Sequence, residues 1–513
     1  MDNFIRWFVE EGGWLDRARI GIVDTPSQGR AAIALQDIPE GHTLFSVPRS
    51  LTLSTHTSEL PKLIGEAAWK SLRLNKGWVG LILCMMWEEC RWTDSKWCGY
   101  FNILPRAFDT PMFWTGDELK ELDGTDVLGK IGKEQAERDY YEILNPAVRT
   151  RPDLFDPGHI ASFYSLENYH VMGSRILSRS FHVEKWKEQT PGSQSRASSE
   201  LHENGDCMDI DDESSNLSAV GAENGGDDDS DDEAENPSDI AMVPMADMLN
   251  AQYGSENAKL FYEPTHLNMV STKPIRRGEQ IYNAYGDLPN SALLREYGHV
   301  DLVPLPGVPW KEGNPADVVE IPADLALHAV LSSQARVDAE SLKERIDWWL
   351  EEGGDDVFVL GTDLELPDVM ISFLKLLLLS KLEWEKARSK SKPPKPKLDM
   401  DSKLQTFPLV LGMLERRLAK YPTTLEHDEA LLSGQTSLPY NVRNAIIVRI
   451  GEKHILVGCM SKVRASLEEA QMAVRNGIRP EKQLRHQNSV GNQKKRKRGD
   501  IDEEEKPRKQ SWR

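Results

Sequence analysis

Cysteine is scarce in these 513 residues: Cys84, Cys90, Cys98, Cys207 and Cys459 are odd in number and scattered, with no C-x-C or C-x-x-C pair. That argues against a disulfide framework and against a cysteine-rich zinc site, and no metal centre is expected. Long apolar runs are missing as well. A membrane helix needs about 20 consecutive apolar residues, whereas the longest candidate, Val369 to Leu379, is short and broken by Lys375. It reads as a buried core helix, and no membrane association is expected. The N-terminus lacks the basic-then-apolar pattern of a secretory leader. Phe4, Ile5, Phe8 and Val9 make an amphipathic stretch instead, so an intracellular location is expected.

Basic residues are absent from one long segment. The formal charge is −20, and residues 200–239 hold 16 Asp and Glu with no Lys or Arg. The acidity therefore belongs mostly to that segment and hardly describes the folded body. Rich also in Ser, Asn and Gly, it has too little apolar surface to offset the entropy of ordering, and disorder is expected over 190–239. It either solvates the chain or attracts a basic partner surface. Two other stretches are of low complexity. One is the basic, proline-rich KSKPPKPK, Lys390 to Lys397; the other is the tail from Gln483, with KKRKR at Lys494 to Arg498. The tail reads as a nuclear import signal or as a solvated terminus, giving nucleus with cytoplasm as the alternative.

What remains is ample for folding: 39% of residues are hydrophobic and 14 are tryptophan. The length calls for two or three domains. Arg30 to Ile38 and His42 to Val47, separated by Pro39-Glu40-Gly41, suit short strands around a turn. From Leu60 to Glu89 the spacing of Trp78, Leu81, Ile82, Met85 and Met86 is helical. Lys259 to Tyr262 and Leu267 to Thr272 read as a hairpin. Beyond Pro309 the chain reads as all-helical, with apolar stripes at Leu342, Ile346, Trp349, Leu350 and at Leu411, Leu414, Leu418. Pro322 and Pro422 stand where helices can begin. The fold class is α+β followed by a helical half.

Two distant segments carry the chemistry. One is SQGRAAIALQDIPEGHTLFSVPRSL, Ser27 to Leu51; the other begins MVPMADMLNA at Met242, continues through KLFYE, and ends STKPIRRGEQIYNAYGDLPNSALLREYG at Gly298. In this order, about 200 residues apart, they resemble the SET domain of protein methyltransferases. WCGYFNILPRAFDTPMFW, ILSRSFHV and YPTTLEHDEALL are similar to the subfamily typified by the Rubisco large-subunit methyltransferase, and within it to the ribosomal lysine methyltransferases. The resemblance implies a SET β-fold with an inserted helical subdomain, then an all-α substrate-binding domain. The expected division is 1–58 and 166–300 for SET, 59–165 for the helical insertion, 309–480 for the substrate-binding domain and 483–513 for the tail.

The implied reaction is methyl transfer from S-adenosylmethionine to a lysine of a protein substrate. A ribosomal protein comes first, a histone or transcription factor after it, and no direct contact with nucleic acid is expected. Histidine methylation, or a catalytically idle SET fold that only binds, are the rival readings. Lysine, with a pKa near 10.4, is only about one part in 2,500 neutral at pH 7, so a site must recover roughly 4–5 kcal/mol. A narrow aromatic channel does this by desolvating the ammonium and aligning the amine. By resemblance Tyr285 stands at the transfer site, with Tyr297 against the cofactor and the lysine channel. Gly29, Arg30, Asn250 and Ala251 hold the cofactor, Asp247 supports that loop, and Arg179 pairs with the cofactor carboxylate. Trp114, Ser180 and His182 face the peptide. The chain departs from the family pattern where Ala251 replaces a common histidine, and where Gly29 stands as the one glycine of the first loop.

Overall fold

The computed structural model describes residues 1–25, 29–183, 240–283, 286–333, 339–434 and 437–476. Contacts divide the chain into two compact units. The first is Met1–Val318 with Tyr421–Glu452; the second is Val319–Lys420 with Lys453–Arg513. The acidic segment 190–239 and the tail 483–513 lie outside the described residues.

In the first unit, β1 (Trp14–Leu15), β4 (Thr43–Pro48), β8 (His266–Ser271) and β7 (Ala258–Tyr262) form an antiparallel sheet in that spatial order. Leu267, Met269 and Ser271 are buried and alternate with half-exposed residues, the period of two that a sheet covered on one face imposes. β7 and β8 are the hairpin read from the sequence. A second hairpin, β2 (Ile20–Thr25) with β3 (Gly29–Ala34), pairs Ile20 with Ala34 and Thr25 with Gly29. The two family segments meet here. Ile281 N–H donates to Ala32 O at 2.8 Å, and Ala34 N–H donates to Glu279 O at 2.9 Å. β5 (Ser180–His182) and β6 (Ile240–Met242) pair antiparallel, and Leu53 bridges to Met242.

Helices close around this framework. Val79–Arg91 has every residue from Val79 to Glu89 buried, so it is surrounded on all sides rather than amphipathic. Leu166–Arg179 starts at the Ser165 cap, whose hydroxyl accepts from Asn168 N–H at 3.2 Å. Its buried residues Tyr169, Met172, Arg175 and Ile176 recur at helical spacing, and Arg179 continues that stripe at the last position. One apolar core joins Phe4 and Phe8 of the first helix to Phe45, Met85, Tyr100, Ile176, Met245 and Met269.

Residues 421–452 complete the unit. Ala445 and Val448 pack on Trp114, Leu122, Val127 and Leu294. Arg449, 1% exposed, is held by Asp428 at 2.9 Å and by Glu121 at 2.8 Å. The short strands β9 (Val303–Pro304) and β10 (Glu312–Gly313) pair nearby in sequence.

The second unit is helical, as expected, with one addition: β11 (Val318–Pro322) and β12 (Val357–Gly361) form a two-stranded sheet. Asp368–Leu377 is the buried helix read from the apolar run. Arg345 is buried and donates to Leu376 O and Leu377 O at 3.1 and 2.7 Å, satisfying carbonyls at that helix's end. The expected stripes are partly displaced. In Ala339–Glu351 the buried set is Leu342, Arg345, Trp348 and Trp349, while Leu350 is 47% exposed. In Met400–Leu418, Leu414 is buried beside Phe407, Val410 and Met413, whereas Leu411 and Leu418 are half-buried. Pro322 caps Ala323–Ser332, but the helix after Pro422 waits for Thr424, whose hydroxyl caps Leu425–Ser433.

Candidate functional site

The loop after β6 decides the geometry. Its turn Ala246–Met248 is entered through Met245 at φ 79°, a fully buried non-glycine residue in the left-handed region. Such backbone costs about 1–3 kcal/mol and persists only where packing enforces it. Here the core around Met245 does so, two residues before Asp247.

Asp247 is 4% exposed and sits between two partners. Tyr100 donates its hydroxyl to Asp247 Oδ2 at 2.7 Å. Arg179 places Nη1 2.8 Å from the Asp247 carbonyl and 3.6 Å from Oδ2. Burial pushes the Asp247 carboxyl above the usual range, against the pull of Arg179 and of the Tyr100 hydroxyl. Burial beside that carboxylate pushes the Tyr100 hydroxyl well up too, so it stays a proton donor. Among the described residues Arg179 Nε and Asp247 Oδ1 are buried with no hydrogen-bond partner. The guanidinium is thus anchored by one nitrogen, and the side chain is 27% exposed. Its outer edge can receive a carboxylate through charge-assisted bonds.

Three residues on, Asn250 joins the two family segments. Its Nδ2 donates to Arg30 O at 3.0 Å, its carbonyl accepts from Asn283 N–H at 3.0 Å, and it bridges to Tyr282. Arg30 lies exposed in β3 and donates through Nη1 to Ile103 O at 2.7 Å. Gly29 has φ +65°, and an added Cβ would meet nothing within 4 Å. The backbone there therefore borders open space, and only glycine takes that φ without strain. Ala251 is half-buried beside Asn250.

Gly29, Arg30, Asn250 and Ala251 are thus drawn together, and Arg179 with Asp247 stands at the same loop. Tyr285 lies outside the described residues, between the anchored Asn283 and Gly286 at φ 79°. Tyr297 ends the helix Asn290–Tyr297, half-buried against the main core, with its ring edge-on to His299 at 6.0 Å. Ser180 is buried and His182 half-buried in β5, opposite Met242 and Ile240. Trp114 is 5% exposed, packs in the cluster with Leu294 and Ala445, and donates its indole N–H to Asp109 O at 2.8 Å. It acts there as core rather than as a surface aimed at a peptide. Sequence reasoning missed Tyr100 and Met245. Tyr100 lies inside the WCGY segment already singled out, whereas nothing in the sequence announces a left-handed methionine.

The family described as "Rubisco LSMT substrate-binding" matches residues 338–456. The chain is 30% identical over 370 residues to ribosomal lysine N-methyltransferase 4 of Saccharomyces cerevisiae, covering 71% of this chain and 66% of that protein. It is 28% identical over 450 residues to N-lysine methyltransferase setd6 of Salmo salar, covering 83% and 88%. Its fold resembles the structure of Rubisco LSMT bound to AdoMet, with a TM-score of 0.61 at 20% identity over 92% of this chain and 93% of the other.

Proposed function

This chain belongs to the Rubisco large-subunit methyltransferase-like class of SET-domain proteins, and on that premise we propose that it methylates a lysine of a ribosomal protein, using S-adenosylmethionine. The observation that carries the reading is Arg179, at the end of the helix Leu166–Arg179, bonded to the strained loop that also carries Asn250. The cofactor's amino-acid end bears a carboxylate and an ammonium, and so needs a cationic donor and an acceptor. Arg179 is 27% exposed and presents its outer guanidinium edge, while among the described residues its Nε is buried without a hydrogen-bond partner. Asn250 uses Nδ2 on Arg30 and keeps Oδ1 for a donor. The left-handed Gly29 leaves room for a ligand against the β3 backbone. These residues fit the group.

When bound, the cofactor supplies an electrophilic methyl on a sulfonium. The protein's part is to orient the acceptor and exclude water. Tyr285 and Tyr297 flank the amine by family position, and aromatic walls favour its neutral form by withholding solvent. The Tyr100–Asp247–Arg179 chain holds the guanidinium in place without exchanging protons. The ribosomal substrate is supported by the yeast relative's name. The Lys494–Arg498 cluster supports a nuclear location, tested by following a fluorescent fusion with and without it.

Purified protein is incubated with radiolabelled S-adenosylmethionine and separated ribosomal proteins, beside a Tyr285→Phe variant. Label on one small basic ribosomal protein, greatly reduced in the variant, supports both substrate and catalytic residue. Cofactor binding without label on any ribosomal protein discards that substrate. Label on histidine rather than lysine discards the acceptor.

A further inference from the structure

The basic proline-rich strap in the second unit takes no part in the site above. Between Glu385 and Asp399 lie Lys386, Arg388, Lys390, Lys392, Lys395 and Lys397, with no acidic residue among them. All six are exposed, while Pro394, Pro396 and Leu398 between the last cations are half-buried. The strap therefore turns Pro394 and Pro396 inward and its lysines outward, with Pro393 exposed.

It is also held in place. Lys375, the charge that interrupts the apolar helix Asp368–Leu377, is half-buried and donates Nζ to Lys395 O at 3.1 Å and to Lys397 O. The acids at its borders are engaged locally. Glu383 closes a capping box with Ser380, and Asp399 caps Met400–Leu418. Glu344 pairs with Arg388. Glu385 and Asp401 remain nearby, yet among the described residues the five lysines have no ion-pair partner.

We propose that this strap is a docking surface for the phosphate backbone of single-stranded RNA. Outward lysines are strongly hydrated point charges without the planar fork that reads a carboxylate or a base edge. With only Ser and Pro between them, they offer charge without base-specific recognition, which suits a phosphate backbone. The choice of RNA rests on the ribosomal reading above, because such a substrate is found beside RNA.

The test measures anisotropy of fluorescein-labelled oligouridylate against the full chain across a salt series. A variant with Lys390, Lys392, Lys395 and Lys397 changed to Gln is compared with one whose Lys494–Arg498 cluster is changed to Gln, since that cluster is a second source of charge. The strap variant is expected to bind about tenfold or more weakly. Its log–log salt slope should be shallower by about 3, at roughly 0.7 per single-strand phosphate contact. Circular dichroism and labelled-cofactor binding should match the wild type, which separates loss of the strap from loss of fold or of the catalytic reading. Loss confined to the tail variant overturns the proposal. So does tighter binding of duplex DNA than of RNA, or displacement of the RNA by polyglutamate or by phosphatidylserine vesicles at equal charge.

Discussion

Arg179 has one nitrogen on Asp247 and an exposed outer edge, so its removal should act on the cofactor more than on the chemistry. Hydrogen bonds to charged groups contribute about 1.5–3 kcal/mol, and Arg179→Met should weaken S-adenosylmethionine binding about 10- to 100-fold by calorimetry. The rate at saturating cofactor should change far less; unchanged affinity would remove Arg179 from the site. A second residue sets a pH dependence. Asp317 is 6% exposed and accepts from Asn290 N–H at 2.7 Å. Burial pushes its carboxyl from the usual 3.8 up to about 7. The folded protein thus keeps a proton that the unfolded chain releases between these values. The stabilisation is fully present below the lower value and is lost as pH rises toward the upper one. Urea midpoints should fall as pH rises from about 4 to about 7 and level off above that, and Asp317→Asn should flatten that slope; an equally steep slope in the variant would assign it to other groups. Asp247 and Asn250 were legible because their motif is contiguous, and Arg179 because ILSRSFHV is. Asp317 was not, since its burial depends on Asn290 and on Gly451, where an added Cβ would lie 2.5 Å from its carboxylate.

At the scale of elements, the segment YPTTLEHDEALL supplies a buried ion network. Asp428 accepts from Arg449 Nε at 3.1 Å and Nη2 at 2.9 Å, and from Thr423 at 2.9 Å. Removing one member of a buried pair costs about 3–5 kcal/mol. Asp428→Ala should lower the denaturation free energy by that amount, and a loss below about 1 kcal/mol would show that Glu121 alone suffices. The hairpin β7–β8 and the helix Asp368–Leu377 were readable because a single local period dominates each. The stripes of Ala339–Glu351 and Met400–Leu418 were misplaced because buried arginines occupy core positions: Arg345 faces helix-end carbonyls, and Arg417 donates to Glu320 O at 2.9 Å. A search for apolar residues passes over both. β12 was missed although Gly353-Gly354-Asp355-Asp356 mark a turn before it, because the apolar stripes on either side read as helical.

At the scale of the molecule, the first unit is discontinuous: it ends at Val318 and resumes from Tyr421 to Glu452. Without the returning segment Trp114, Leu122, Val127 and Leu294 lose Ala445 and Val448, and Glu121 loses Arg449. A chain truncated after Val318 should therefore be rapidly cleaved by limited proteolysis and bind no cofactor. A protease-resistant, cofactor-binding fragment would show that residues 421–452 are dispensable. The sequence motifs locate the cofactor loop within this unit, but they say nothing of the return, because the helix Tyr440–Arg475 runs through both units without a break in its pattern.

That return has a consequence in time. During synthesis the last residue of the first unit's long stretch is made about 100 residues before Tyr421. At roughly 5–20 residues per second, the nascent chain waits on the order of 5–20 s with an unfinished core. Over that interval the cluster around Trp114 is uncovered, and the young protein is then at its most dependent on chaperones.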